Sequence, residues 1–230
     1  MRRILIIDDH PLFREALQSA IMRILPKTEI YEAPNFPEAL KAIRAIGRIH
    51  LVLLDLYMPD MRGFEGLLTL RTLYPTLPVA VISGQEDPRF VREALNYGAA
   101  GFIPKSYSKE QIAAALSDIL DGNVFAPANT DRVVLSPEEQ EKIALARQLM
   151  SLTRQQLVVL KMMREGKLNK QIAYEIGLSE TTIKSHVSEI LRKLNVISRT
   201  QAVLKLTKID FDSITEKLDV TDSADQPPGE

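Results

Sequence analysis

The chain contains no cysteine, only three histidines, and no apolar run long enough to span a bilayer. Without thiols there can be no disulfide, no zinc-thiolate centre and no cysteine nucleophile, a usage that fits a reducing compartment. Three histidines make a histidine metal cage a poor expectation. Near the start, two arginines are followed by only four apolar residues, Ile4–Ile7, before Asp8 and Asp9, so no secretory apolar region is expected. A soluble, cytoplasmic protein with no membrane contact is the expectation these absences permit. Strong net charge is also missing, at −1 overall, but that figure hides an asymmetry. Residues 151–208 carry 11 Lys and Arg against four Glu, residues 209–230 carry one Lys against seven acids, and residues 1–150 are close to neutral. A compact positive segment beside a near-neutral one points to one module that meets nucleic acid and another with a different task.

What is present, over 230 residues, suits two domains. Residues 1–122 read as five strand-helix units. The strands are centred on Ile4–Ile7, Glu29–Glu32, Leu51–Leu54, Val79–Ile82 and Gly101–Ile103, and the first helix runs over Pro11–Ile24. Asn35 caps the second helix, Gly63 starts a short third one through Leu70, Asp87-Pro88 opens the fourth, and Ser108 with Gln111 forms a capping box for the fifth. This alternation predicts an α/β, doubly wound, five-stranded parallel sheet. Residues 123–150 read as a linker holding a helix that Ser136-Pro137 opens. Residues 151–208 show four helical patterns and no strand, with boxes at Thr153/Gln156 and Ser198/Gln201 and with Gly166 and Gly177 at helix ends. Residues 209–230 read as an acidic, disordered tail, either a solvated end or a competitor with DNA for the positive segment.

Doubly wound sheets place ligands at the carboxyl ends of their strands. There stand Asp8 and Asp9 after the first strand, Asp55 after the third, Ser83 after the fourth and Lys105 after the fifth. Three converging carboxylates repel unless a cation joins them, and Mg²⁺ is the expected one, because it takes hard oxygen ligands and keeps sites for a phosphate oxygen. A carboxylate beside that ion can accept a phosphoryl group, with a lysine offsetting the charge on the transferring oxygens. His10 reads as a packing or capping residue, since Mg²⁺ avoids imidazole.

The segments Ile-Ile-Asp-Asp-His at 6–10, Leu-Leu-Asp-Leu-Tyr-Met-Pro-Asp at 53–60, Val-Ile-Ser-Gly at 81–84 and Gly-Phe-Ile-Pro-Lys-Ser at 101–106 resemble the signature of response-regulator receiver domains, in order and at its spacing. The resemblance implies a flavodoxin-like sheet of order 2-1-3-4-5. By it, Asp55 accepts phosphate from a sensor histidine kinase, while Asp8, Asp9, Asp55 and the backbone carbonyl of Tyr57 hold Mg²⁺. Lys105 then pairs with the phosphoryl group, Ser83 reads it, and Phe102 is the aromatic switch, though a lone strand aromatic also suits a core position. Many receivers have proline after the lysine; here Ser106 follows and Pro104 precedes, which leaves the loop geometry open.

In the third helical pattern of the second module, Ile183, Val187, Ile190, Leu191 and Leu194 make one apolar face. Thr182, Lys184, Ser185, Ser188, Arg192 and Lys193 therefore lie on a polar, positive side, as the recognition helix of a helix-turn-helix requires. Asn-Lys-Gln-Ile-Ala at 169–173, Ser-Glu-Thr-Thr-Ile-Lys-Ser-His-Val at 179–187 and Leu-Arg-Lys-Leu-Asn-Val at 191–196 resemble the LuxR-type DNA-binding domain. With a receiver in front, the whole resembles a NarL/FixJ-type regulator. The resemblance implies base contacts near Lys184 and Ser185, phosphate contacts from Lys170, Thr182, Lys193 and Arg199, and homodimer contacts from the last helix. Promoter DNA is the implied partner, with RNA polymerase a further candidate.

The expected activity is thus a phosphorylation-switched transcription regulator rather than an enzyme. Two alternatives stand beside it. One is a regulator indifferent to phosphate whose first module only dimerises. The other is a phosphohydrolase with Asp55 as nucleophile, which would want an acid-base carboxylate two residues later, where Tyr57 stands.

Overall fold

The computed structural model describes residues 2–59, 61–128, 130–212, 214 and 215. They form two compact units that meet in sequence between Ser136 and Pro137.

In the first unit, five parallel strands alternate with five helices. The strands are β1 (Arg2–Ile7), β2 (Thr28–Ala33), β3 (Leu51–Asp55), β4 (Val79–Ser83) and β5 (Gly101–Pro104). The helices are α1 (Pro11–Ile24), α2 (Phe36–Ile46), α3 (Glu65–Leu73), α4 (Pro88–Asn96) and α5 (Lys109–Leu120). Strand order is β2-β1-β3-β4-β5. Strands β3 and β4 are buried at every residue, as expected of central strands covered by helices on both faces. On one face Ile4, Ile6, Leu53 and Ile82 pack with Leu17 and Ile21 of α1 and Leu116 and Ile119 of α5. The pairing of Ile7 with Leu54, Asp55 with Ile82 and Ser83 with Pro104 brings the ends of β1, β3, β4 and β5 to one edge of the sheet. The direction of the strand order reverses between β1 and β3, so the cleft at that edge opens beside Asp8 and Asp55.

At the opposite edge His50 closes a two-way bond with β1. The Arg3 N–H donates to His50 Nδ1 at 3.0 Å, and the His50 N–H donates to the Arg3 carbonyl at 2.9 Å. Burial, then the charges of Arg48, Arg3 and Arg2, hold the imidazole below its ordinary value of 6.5. As pH falls through 6.5, the unfolded chain takes up a proton that the folded one resists, so stability is full above that value and declines below it. The expected loss by pH 5 is no more than about 1 kcal/mol, because the ring is only partly buried. His50→Asn keeps an acceptor for the Arg3 N–H and is expected to flatten that part of the slope. Urea unfolding followed by tyrosine fluorescence checks this, since five of the six tyrosines lie in the first unit.

After α5 the chain turns back onto the sheet. Gly101 pairs with Phe125 as an isolated parallel bridge, and the Phe102 N–H donates to the Phe125 carbonyl at 2.8 Å. A 3-10 turn at Thr130–Arg132 lies against α4, where Arg92 pairs with Asp131 at 2.9 Å. The close approach requires glycine at position 101. A Cβ there would sit 2.5 Å from Ile119 Cδ1 and 3.2 Å from the Phe125 carbonyl oxygen. Gly101→Ala is expected to cost about 1–3 kcal/mol by overpacking, and to raise amide exchange at Phe102 as the Phe125 carbonyl is displaced.

The second unit contains α6 (Pro137–Met150), α7 (Arg154–Arg164), α8 (Asn169–Glu175), α9 (Glu180–Lys193) and α10 (Arg199–Leu206). Sequence reasoning assigns the first of these to a linker, but α6 belongs to this unit and buries Ile143, Leu145, Ala146 and Leu149. The caps at Thr153, Ser179 and Ser198 each accept from the backbone N–H three residues on. Gly177, with φ of 70°, supplies the left-handed residue between α8 and α9. The reading of residues 209–230 as a disordered tail needs correction at its start. Phe211, Ile214 and Thr215 are helical and buried, and Arg164 both stacks on the Phe211 ring and pairs with Asp212. Apolar side chains at i and i+3 outweigh the local acidity there. Glu216–Glu230 lie outside the described residues.

Candidate phosphoacceptor pocket and nucleic-acid interface

The loops after β1, β3, β4 and β5 surround a cavity of about 870 Å³ lined by His10, Leu12, Phe13, Ala16, Asp55, Tyr57, Gly84, Gln85 and Lys105. Asp8 and Asp55 are buried beneath it, with 0% and 1% of their surfaces exposed, and Asp9 is partly exposed at the rim. Lys105 Nζ donates to Asp55 Oδ2 at 2.7 Å and lies 2.7 Å from Asp8 Oδ2 as an ion pair. Burial alone would pull the ammonium down; hydrogen bonds and charge from Asp55 and Asp8 overcome that and hold it above its ordinary value. Phe13 lies under the ammonium, with its ring centre 4.6 Å away.

One lysine does not balance three carboxylates. Asp8 Oδ2 shares the Lys105 ammonium with Asp55, and the buried Asp9 Oδ1 receives no hydrogen bond. Buried anionic oxygens short of donors are costly, and a hard divalent cation satisfies several together. The donor set fits such an ion.

Ser83 is fully buried at the end of β4, just behind the cavity lining, and its Oγ accepts from the Gln85 N–H at 3.1 Å. The Lys105 N–H donates to the Ser83 carbonyl at 2.8 Å, so lysine and serine are held by one link, with Ser106 rather than proline following the lysine. The Tyr57 N–H donates to Asp55 Oδ1 at 3.0 Å, while its ring stands 54% exposed on the cavity wall. Phe102 is fully buried and points to α4, where it meets Phe90 edge-on at 6.2 Å. Phe90 in turn contacts Tyr57 at 5.8 Å and stacks on Phe64 at 4.6 Å. The aromatic at 102 is therefore joined to the acceptor loop through α4, a link that no local sequence pattern signals. Sequence reasoning also missed the apolar wall of Leu12, Phe13 and Ala16; Leu12, 81% exposed on the first turn of a helix that buries its other leucine, is the one available hint.

In the second unit α9 buries Ile183 and Ile190, followed by Leu194, and leaves Lys184, Ser185, Ser188 and Arg192 exposed with Thr182 partly so. Ser179 Oγ accepts from the Thr182 N–H at 3.1 Å, and Lys170 is exposed on the neighbouring α8. Lys184 pairs with Glu180 at 2.9 Å and Arg192 with Glu189 at 2.7 Å, exposed pairs of small energetic weight that a phosphate could displace. Two of the expected phosphate ligands are placed differently. Lys193 Nζ donates to the Ser151 carbonyl at 2.7 Å and to Gln156 Oε1 at 2.9 Å, tying α9 to the start of α7. Arg199 donates to the carbonyls of Met163 and Lys167, and burial draws its guanidinium below the ordinary value. His186 is half-buried between the two faces.

Comparison with known proteins agrees with this geometry. Residues 4–117 match the response regulator receiver domain, and residues 150–206 match the luxR family of bacterial regulatory proteins. The chain is 45% identical over 215 residues to the glycerol metabolism activator of Pseudomonas putida, covering 92% of this chain and 97% of that one. It is 30% identical over 201 residues to the nitrate/nitrite response regulator protein NarL of Escherichia coli K12, covering 87% and 93%. A LuxR family DNA-binding response regulator from Silicibacter pomeroyi superposes with a TM-score of 0.50 at 33% identity, covering 56% of this chain and 98% of the other. A parallel sheet of order β2-β1-β3-β4-β5 with buried acids at its carboxyl edge, joined to a helical unit that displays a polar recognition helix, places this chain in the family of response regulators with a receiver domain and a LuxR-type DNA-binding domain.

Proposed function

We propose that Asp55 accepts a phosphoryl group from a sensor histidine kinase, and that this modification controls binding of promoter DNA by α9. The observation that carries the reading is the position of Lys105 Nζ, 2.7 Å from both Asp55 Oδ2 and Asp8 Oδ2, with Lys105 and Asp55 both lining the cavity. In the transfer, one Asp55 carboxylate oxygen bonds to phosphorus as the bond to the donor nitrogen breaks, and the released imidazole takes up a proton. Lys105 offsets charge on the transferring oxygens, and Ser83, once its hydroxyl turns from the Gln85 N–H, can donate to one of them. Mg²⁺, held by Asp8, Asp9, Asp55 and the Tyr57 carbonyl, would supply the remaining charge compensation. Tyr57 offers no carboxylate for a general acid-base role, which supports an acceptor over a turnover phosphohydrolase.

The Phe102 N–H bond to Phe125 makes the chain beyond α5 part of the response, because a shift of β5 pulls on the segment that leads toward the second unit. Phosphorylation then favours a homodimer in which two α9 helices reach major grooves about 34 Å apart or a close multiple. Lys170, Thr182, Lys184, Ser185, Ser188 and Arg192 make the contacts, while Lys193 and Arg199 brace the helices and offer their spare N–H groups to phosphates. We assign the protein to the cytoplasm on its DNA partner; no helix among the described residues is long and apolar enough to cross a membrane. The name of the Pseudomonas putida relative supports activation over repression, in which case RNA polymerase is the further partner.

Genomic fragments selected by the full chain, with and without a small-molecule phosphodonor and Mg²⁺, test the reading. The expected result is enrichment of two-fold sites that tighten on phosphorylation. Equal affinity for the selected fragment before and after verified modification of Asp55 overturns the coupling.

A further inference from the structure

Helix α4 is lightly anchored. Of its nine residues only Val91 and Ala94 are buried, whereas α3, of the same length, buries Gly66, Leu67, Leu68, Thr69, Leu70 and Thr72. Sparse burial marks an element that can shift while the rest of the fold holds. The loop that leads into α4 begins at Ser83, whose Oγ accepts from the Gln85 N–H at 3.1 Å. Phe90 of α4 contacts Tyr57, beside the acceptor, and Phe102 of β5. Two residues on, Arg92 pairs with Asp131 of the 3-10 turn. A charge on Asp55 that draws the Ser83 hydroxyl away from Gln85 therefore reaches α4, and α4 reaches the turn.

Residues 125–128 and 130–132 form a strap with two unequal ends. At the first, the Phe125 carbonyl accepts from the Phe102 N–H, and the Phe125 ring meets Tyr107 edge-on at 6.4 Å and packs on the core beside the sheet. That end is held by backbone and apolar contact together. At the second, the Arg92 pair with Asp131 stands open to water, with the aspartate side chain 96% exposed, and such pairs carry small energetic weight. Thr130 closes the turn on itself, its Oγ1 donating to the Pro127 carbonyl at 2.7 Å. The turn can thus leave α4 as a piece while Phe125 stays in place.

What the strap governs is the length of free connector. With the turn docked, residues 133–136 alone separate it from Pro137 at the start of α6. With the turn released and Phe125 held, residues 126–136 are free. Four residues span at most roughly 14 Å, and eleven span roughly 37 Å. Two recognition helices on one two-fold site lie about 34 Å apart, a separation on the scale of the longer connector and well beyond the shorter.

We propose that the strap is a retractable tether: docked on α4 it keeps the connector short in the unphosphorylated chain, and phosphorylation of Asp55 loosens α4 and pays out the connector. The inference rests on the phosphoacceptor reading given above and names the device by which that modification reaches the DNA-binding unit.

A covalent lock tests it. The chain has no cysteine, so Arg92→Cys with Asp131→Cys supplies a single pair of thiols that a short bis-maleimide can bridge. Full chains, wild type and bridged, are treated with a small-molecule phosphodonor and Mg²⁺, modification of Asp55 is verified by intact mass, and affinity for a selected promoter fragment is measured. The expected result is that wild type tightens about tenfold on phosphorylation, whereas the modified bridged chain stays within about twofold of unphosphorylated wild type. Without any phosphodonor, Asp131→Arg sets like charges against each other at the turn and is expected to tighten binding about twofold to fivefold, with Arg92→Asp in the same chain restoring the wild-type value. A bridged chain that tightens as wild type does, or Asp131→Arg that binds as wild type does before phosphorylation, overturns the tether and leaves control by Asp55 standing. No gain in modified wild type overturns that control and the tether with it.

Discussion

Asp55→Asn is expected to reduce phosphoryl incorporation from a small-molecule donor to background while leaving the fold intact. The carboxylate is 1% exposed and takes hydrogen bonds from Lys105 and the Tyr57 N–H, so its oxygens are already oriented. Asparagine can still accept from Tyr57, but its amide is no nucleophile toward phosphorus. A companion variant separates nucleophile from environment. Lys105→Ala keeps Asp55 but removes the ammonium, and it is expected to slow transfer by about 10²–10³ without abolishing it. It should also raise the dependence of stability on added Mg²⁺, because three carboxylates then face one another with no lysine between them. Intact-mass detection of the phosphorylated chain, over time and with each variant, reads both effects. Persistent labelling of Asp55→Asn at the wild-type rate would move the acceptor elsewhere and remove the basis of the proposed function.

The architecture of this pocket was largely legible because its parts are tied to strand ends. Apolar runs set β1, β3, β4 and β5, and in a parallel sheet whatever follows those runs arrives at one edge, so Asp8, Asp55, Ser83 and Lys105 could be placed without coordinates. The helix caps were legible for a similar reason: Asn35, Ser108, Thr153 and Ser198 each act within three residues of themselves. What escaped depends on distance across the fold. Nothing local to Phe125 announces that its carbonyl meets the Phe102 N–H, and nothing local to Lys193 tells that its ammonium turns to the Ser151 carbonyl instead of outward. Helix α3 shows an intermediate case. Gly63 marks the turn correctly, but the helix begins at Glu65 and continues to Leu73, since beyond Leu70 Thr72 is buried and Leu73 partly so, and the boundary is set by packing.

Phe211→Ala is expected to destabilise the DNA-binding unit by about 3–5 kcal/mol, the usual cost of deleting a buried aromatic side chain. Phe211 and Ile214 are each 1% exposed, the Arg164 guanidinium lies 5.9 Å from the Phe211 ring centre, and Thr215 Oγ1 donates to the Phe211 carbonyl at 3.0 Å. Residues beyond Lys208 thus complete the second core, together with α6, whose Glu141 pairs with Lys208. A control isolates the apolar contribution: Asp212→Ala breaks the ion pair with Arg164, an exposed contact expected to count for less than about 1 kcal/mol. Chemical unfolding followed by circular dichroism reads the difference, because every named element of the second unit is a helix. Equal stability of Phe211→Ala and wild type would show that the helix at 211–215 adds nothing to the core. The same packing bears on how the acidic end should be probed for competition with DNA. A truncation at residue 209 would remove Phe211 and Ile214 along with the charge, so any loss of DNA affinity would report a damaged domain. Truncation after Thr215 removes five of the seven acids of 209–230 and leaves the core whole. If those acids compete with DNA phosphates for the positive segment, affinity should rise in the truncated chain at low salt and converge with that of the full chain as salt screens both.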